Sequence, residues 1–274
     1  MGGKADTYNF RNQPPGEIKL PSAVQRVVVT PTRKGPLFIR AKKGKQRSAW
    51  FSLFPQEKWP LFAKEEATLE AKLDVDTLII PKGARSIEVI SPAKQSLSIA
   101  AWTSSEQVTR PFQRRPQPIF LEVPFRSQMV EKAVAPKRIC LPTSLAMVLH
   151  FHGADKTTAT IARRTYDSHH RLYGNWVKAC LTARSCGFFA EVVAMDTLSQ
   201  MVPFLEKGLP LVVSIGYEEG DLPGAPIAST KGHLVVVCGI DEKGGLICRD
   251  PAAKTRAKGE VVYEGKSLSE FDAD

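Results

Sequence analysis

Short apolar runs separated by turn residues fill residues 20–109 of the chain. "QRVVVT", "GPLFIRA", "SAWFSLF", "TLEAKLDV", "DTLIIP", "SIEVIS" and "SLSIAAW" are parted by Pro, Gly or charged residues, which is the pattern of strands joined by turns. Several alternate with a period of two: Leu69, Ala71, Leu73 and Val75 share one face, as do Ile87 and Val89, and then Leu97, Ile99 and Ala101. Alternation of this kind buries one face of a strand and leaves the other to water. Runs of this number and spacing predict an all-β, sandwich-like domain over residues 20–115. Residues 1–19 carry no such pattern and are expected to be a flexible segment.

The seam "TRPFQRRPQP" breaks the pattern with Pro111, Pro116, Pro118 and three arginines. Beyond it the period changes. "PIFLEVPF" reads as a strand, and Leu145, Val148, Leu149 and His152 then fall at helical spacing. "TTATIARRTY" and "NWVKACLTARSCG" predict two more helices, the second with Asn175 as N-cap and Gly187 as its stop. "DTLSQMVPFLEKG" predicts a helix ending at Gly208, with Pro203 in its first turns or kinking it. Strands follow: "LPLVVSIGY", "HLVVVCGI", "GLICRD" and "EVVYEG". Helices first and hairpins last make residues 116–274 an α+β domain.

Charge sharpens the division. Residues 1–115 hold 20 Lys+Arg against 10 Asp+Glu, and residues 116–274 hold 18 of each. The whole net charge of +10 therefore lies in the first segment. That asymmetry suits either an anionic polymer or surface as partner, or a merely soluble basic face. The same segment has no Cys and no His, so the sequence places no catalytic candidate there. Its Trp50, Trp59 and Trp102 either line a ligand groove or pack the core.

No stretch reaches the ~20 apolar residues of a membrane-spanning helix, so no transmembrane segment is expected. The start "MGGKADTYNF" lacks the apolar run of a secretory signal. A cytoplasmic protein and a secreted one with its signal removed are both compatible with it. Five cysteines in 274 residues, with no CxxC pair, do not form a disulfide framework. The five histidines do not fall at zinc-finger spacing, and neither metal nor cofactor is expected.

The chemistry concentrates around "KRICLPTSLAMVLHF", residues 137–151. Pro142 suits a first helical turn, where its missing N–H costs nothing. Cys140 then sits at the helix N-terminus, where free N–H groups and the macrodipole favour a thiolate. Cys180 lies mid-helix, Cys238 and Cys248 lie within apolar strands, and Cys186 ends a helix, so these four read as inert. Among the histidines, His150 and His152 are at least two turns along the helix that follows Cys140, and His169 and His170 lie in a polar loop. His233 opens an apolar strand and can face a cleft. Pairing Ile240 with Gly245 across the turn Asp241–Gly244 places Val235 opposite Asp250. His233 and Asp250 then share a face as diagonal neighbours. A carboxylate there would hold the imidazole's tautomer and stabilise its charged form. A register slip of one residue would separate the two. Gln128, twelve residues before Cys140, is either a solvent-exposed loop residue or an amide donor that joins the Cys140 N–H around an oxyanion.

These residues, in the order "VPFRSQ…CLPTSLAMVL…GHLVVVCGID…GGLICRDPA", resemble the papain-like bacteriocin-processing peptidases, cysteine-peptidase family thirty-nine, and above all their stand-alone soluble branch. That branch carries Gln, Cys-Gly-Pro-Thr-Ser, Gly-His and Asp-Pro. The likeness covers roughly residues 119–264. It implies a papain-like cysteine peptidase domain with Cys140 as nucleophile, His233 as base, Asp250 as orienting acid and Gln128 as oxyanion donor. The substrate it implies is a peptide or protein. Leu141 stands where the family has Gly, which implies altered specificity. Transporter-linked members add membrane spans and an ATPase. Neither lies in these residues, so leader cleavage on a transporter is not expected. An acyltransferase with the same triad and a catalytically silent binding module are the alternatives.

Overall fold

The computed structural model describes residues 7–21, 23–54, 66–103, 112, 116–130 and 137–263. The chain divides into two compact units. The first holds residues 1–105, 168–170 and 175–194, and the second the rest. Residues 175–194, well past the seam, thus belong by contact to the first unit.

In the first unit ten strands appear in chain order: β1 (Thr7–Gln13), β2 (Gly16–Lys19), β3 (Arg26–Pro31), β4 (Phe38–Lys43), β5 (Gln46–Arg47), β6 (Phe51–Ser52), β7 (Lys72–Asp74), β8 (Thr77–Ile79), β9 (Ser86–Ile90) and β10 (Leu97–Trp102). They make two five-stranded antiparallel sheets. One has the order β1-β10-β3-β8-β7, and the other runs β2-β9-β4-β5 with β6 also on β4. Both sheets feed one apolar cluster, including Val27, Val29, Ile39, Ile87, Val89, Leu97 and Ile99. Residues 7–13 and 16–19 were expected to belong to a flexible segment, and they form β1 and β2 instead. Tyr8 and Phe10 pack on the cluster and Ile18 is buried in it, so the segment gains enough apolar burial to offset its ordering entropy.

Trp102 is part of that core, and the Arg40 guanidinium lies 4.3 Å over the Trp50 ring. Trp59 lies outside the described residues. A helix carried by a later stretch of the chain, Trp176–Ser185, completes the unit through contacts with β3. Its Asn175 side chain accepts from the Lys178 N–H at 2.9 Å, and Gly187 takes a positive φ just past the end, as the capping pattern requires. A second cap comes from far away in sequence. Asp76 Oδ2 accepts from the N–H groups of Trp176 at 2.6 Å and Val177 at 3.1 Å. Burial pushes this carboxyl up to about 6, against the backbone hydrogen bonds of Val177 and Trp176, which favour its charged form.

The second unit carries α1 (Cys140–Phe151) and α2 (Thr158–Thr165). The Trp176–Ser185 helix of the first unit is α3, and α4 (Val202–Glu206) and α5 (Arg256–Gly259) follow. The expected single helix before Gly208 divides into a 3₁₀ turn, Leu198–Gln200, and the short α4, with Pro203 in its first turn. Five antiparallel strands make its sheet: β11 (Ile119–Phe120), β12 (Leu211–Tyr217), β13 (Thr230–Ile240), β14 (Leu246–Arg249) and β15 (Glu260–Tyr263). β13 is central, with β11 and β12 pairing to it as well as β14, and β15 lies beyond β14. α1 packs on one face through Met147, Val148 and Phe151 against Val236 and Cys238. Val235, Val237, Leu246 and Cys248 belong to the other side's cluster. The architecture is mixed α+β, as the sequence pattern implied.

At Gly239 the strand β11 comes very close. A Cβ there would lie 2.2 Å from the Ile119 carbonyl oxygen and 3.1 Å from the Phe120 Cα. Those are backbone atoms and cannot swing aside. Gly239→Ala should therefore displace β11 and lower stability by about 1–3 kcal/mol, read as a lower urea midpoint with an unchanged m-value.

Candidate active site

Cys140 is the first residue of α1. The helix is fixed there from both sides. Thr143 Oγ1 donates to the Ile139 carbonyl at 2.7 Å, and Ser144 Oγ donates to the Leu234 carbonyl at 3.0 Å. The second bond ties the first turn of α1 to the residue after His233. Leu145, Ala146, Met147 and Leu149 are buried behind it. The free N–H groups and positive end of the helix therefore point at the thiol by construction.

His233 stands on β13 opposite Ile215 of β12 and is 3% exposed. Its Nε2 lies 2.7 Å from Asp250 Oδ1. Its side chain also hydrogen-bonds Cys140, which leaves Nδ1 as the nitrogen that faces the sulfur. Burial by itself would push this imidazole down. The hydrogen bonds to Asp250 and Cys140, with their charges, prevail and hold it up to about 9. Cys140 shows the mirror effect. Burial would raise the thiol, but the hydrogen bond and charge of His233, with backbone hydrogen bonds at Leu234 and Leu141, bring it below its usual value. The two shifts together favour a thiolate–imidazolium pair.

Asp250 follows β14 and is wholly buried. Its charge is held by three donors. Oδ1 accepts from His233 Nε2 and from the Ala252 N–H at 2.8 Å, and Oδ2 accepts from the Tyr263 hydroxyl at 2.8 Å. Its own N–H donates to the Gly259 carbonyl at 2.8 Å. The register that delivers Asp250 differs from the expected one near the turn. Ile240 faces Leu246 rather than Gly245, and Gly239 faces Ile247. A bulge at Cys238 then shifts the pairing, so that Val237 faces Cys248 and Val236 faces Arg249. From the bulge onward the spacing is the one that places Val235 opposite Asp250. A bulge adds one residue on one strand, which here cancels the one-residue difference at the turn.

Gln128 opens a 3₁₀ turn, Gln128–Val130, and is 4% exposed rather than solvated. Its N–H donates to the Pro251 carbonyl at 2.8 Å, and Ser127 Oγ donates to the Ala253 carbonyl. The Gln128 segment is thus fastened to the turn that follows Asp250. Among the described residues its Oε1 is buried with no hydrogen-bond partner. Leu141 is 3% exposed, so its side chain is packed inside the protein instead of standing in an open cleft.

The remaining cysteines differ in kind. Burial pushes Cys180 up to about 12 and Cys238 up to about 11, and it carries Cys248 well above the usual thiol value. None of the five cysteines is in a disulfide. His150 lies beside Arg126 and Asp155 at the far end of α1, and the His169 and His170 rings pack edge to face.

Sequence reading missed Tyr263, Ser144 and Ser127. None left a signal the sequence alone could use: Tyr263 shares the face of Leu246, Cys248 and Asp250 through the observed register, in which it pairs with Leu246 and Val261 with Cys248. On this electrostatic contrast, iodoacetamide at neutral pH should label Cys140 about tenfold or more faster than Cys180, Cys238 or Cys248. Peptide mapping by mass spectrometry checks it, and His233→Gln should remove most of the difference.

A family model described as the Peptidase_C39 like family matches residues 120–273. No curated protein and no solved structure matches the chain.

Proposed function

Since the chain belongs to the Peptidase_C39 like family, we propose that it is a cysteine peptidase that cleaves peptide or related amide bonds with Cys140, His233, Asp250 and Gln128. The observation that carries this reading is His233 standing between the other two, hydrogen-bonded to Cys140 and 2.7 Å from Asp250. In this mechanism the Cys140 thiolate attacks the carbonyl carbon, and the imidazolium gives its proton to the leaving amine. Water then enters, loses a proton to the neutral imidazole and attacks the thioester, which restores free Cys140 and releases the acid. Asp250 keeps Nε2–H occupied so that Nδ1 faces the sulfur. The Cys140 N–H, at the start of α1, and the Gln128 side-chain amide hold the oxyanion.

The pH dependence follows from the two shifts. The working pair exists above the lowered Cys140 value and below the raised His233 value. Activity should therefore persist into mildly alkaline solution and fall as the pH passes about 9. The assay is cleavage of a fluorogenic peptide library by the purified chain. Cys140→Ala should abolish turnover, and Asp250→Asn should lower kcat by roughly 10²–10⁴-fold and draw the alkaline limb downward. Turnover that survives Cys140→Ala would sink the proposal. Product analysis with an added amine separates hydrolysis from acyl transfer.

The two sheets of the first unit support a sandwich-like accessory domain that, beyond the expected residues 20–115, takes in β1, β2 and residues 175–194, with a papain-like domain in the remainder of residues 116–274. The surplus positive charge of the first segment supports binding to an anionic polymer or surface. Part of that charge is already used internally: Arg40, Lys42 and Arg47 gather around Glu88, and Lys42 also pairs with Glu17. Binding therefore falls to cations outside this group. Retention on immobilised heparin at low salt, lost at high salt, is the expected outcome. Retention unchanged when Arg33, Lys34 and Lys94 become Ser would count against that placement.

A further inference from the structure

The buried carboxylate of Asp250 has two oxygens, and His233 uses one. The other is taken by the Tyr263 hydroxyl, from the last residue of β15. We propose that Tyr263 is a positioning residue of this site, whose phenol clamps Asp250 at the oxygen His233 does not use and so sets how strongly the imidazolium is held. The inference rests on the active-site reading above and adds a residue to it.

Three observations carry the argument. Tyr263 is 1% exposed and its hydroxyl lies 2.8 Å from Asp250 Oδ2. The Ala252 N–H holds Oδ1 at 2.8 Å. Fixed donors on both oxygens define the plane of the carboxylate, which leaves the remaining lone pair of Oδ1 directed at Nε2. Either donor alone would let the group turn about its Cβ–Cγ bond. The phenol also draws negative charge toward Oδ2, so Oδ1 binds the imidazolium less tightly than an unclamped carboxylate would.

The phenol remains a donor throughout the range that matters. Burial first, and then the charge of Asp250, push its ionisation far above the ordinary tyrosine value. The other titratable groups around this pair are Cys140 on α1, Tyr217 on β12 and Cys248 on β14. Tyr217 and Cys248 are themselves pushed upward by burial and stay neutral. The Tyr217 hydroxyl donates to the Ile227 carbonyl at 3.0 Å. Cys140 is thus the charge that His233 senses from the other side.

The test needs no substrate. Histidine rings of the full chain are labelled with nitrogen-15 and titrated by NMR, with the His233 signals identified by their loss in His233→Gln. Tyr263→Phe removes only the hydroxyl and should raise the His233 midpoint by about half a pH unit, roughly threefold in proton affinity. Replacing Tyr263 with 3-fluorotyrosine keeps the ring and strengthens the donor, and should lower the midpoint. If Tyr263→Phe does not fold, the fluorinated protein decides alone. Midpoints that do not follow the donor strength overturn the proposal. A wild-type His233 that titrates at the ordinary imidazole value, and ignores Cys140→Ala, would overturn the active-site reading and this inference together. A raised midpoint that responds to Cys140→Ala but not to Tyr263 would overturn this inference alone.

Discussion

The bond between His233 Nε2 and Asp250 Oδ1 is the interaction on which the second unit's site depends. A carboxylate with no solvent contact is costly unless its charge is met by hydrogen-bond donors. Here the donors come from three separate places: β13, the turn after β14, and β15. The same turn returns its carbonyls to the Gln128 segment, through Pro251 to the Gln128 N–H and through Ala253 to the Ser127 hydroxyl. Stabilising one buried charge therefore assembles four pieces of chain, the Gln128 segment lying far ahead of the other three in sequence. It also gives His233 the partner that outweighs its own burial.

Cys140 gains its character from the other end of that arrangement. All five cysteines are at least partly shielded from water, and burial alone raises a thiol. The difference lies in what compensates. Cys180, Cys238 and Cys248 have little to oppose burial and are pushed upward. Cys140 has an imidazolium, two backbone hydrogen bonds and the start of a helix. The Ser144–Leu234 bond keeps that helix start beside the histidine strand. The direction in which each thiol is shifted follows from position in the fold, since the residue type is the same in every case.

The first unit solves a related problem at α3. A helix start leaves N–H groups without partners, and Asn175 supplies one acceptor locally. Asp76, a hundred residues earlier, supplies the other and satisfies two of those groups at once. On the β2-β9-β4-β5 sheet, Glu88 and Glu17 absorb the charge of Arg40, Lys42 and Arg47. A net-charge count cannot register that neutralisation, because it treats every lysine and arginine alike.

Local rules were legible in the chain without a structure. Apolar runs bounded by turn residues located β3, β4 and β8, period-two alternation located β9 and β10, and Asn175 and Gly187 bracketed α3 because caps act within a turn of the helix they end. Cys140 ahead of Pro142 announced a helix start, and the His233 and Asp250 strands announced a hairpin. Strands β1 and β2 escaped notice because their burial depends on a core built later in the sequence. The bulge at Cys238 escaped because pairing register is settled jointly by two strands and by the approach of β11 at Gly239. The sequence by itself determined which residues could do chemistry, since helix periodicity, capping and residue type are local properties. Only the tertiary structure decided which of them meet, how deeply Asp250 is buried and that Tyr263 holds it, because burial and long-range hydrogen bonds belong to the packed chain.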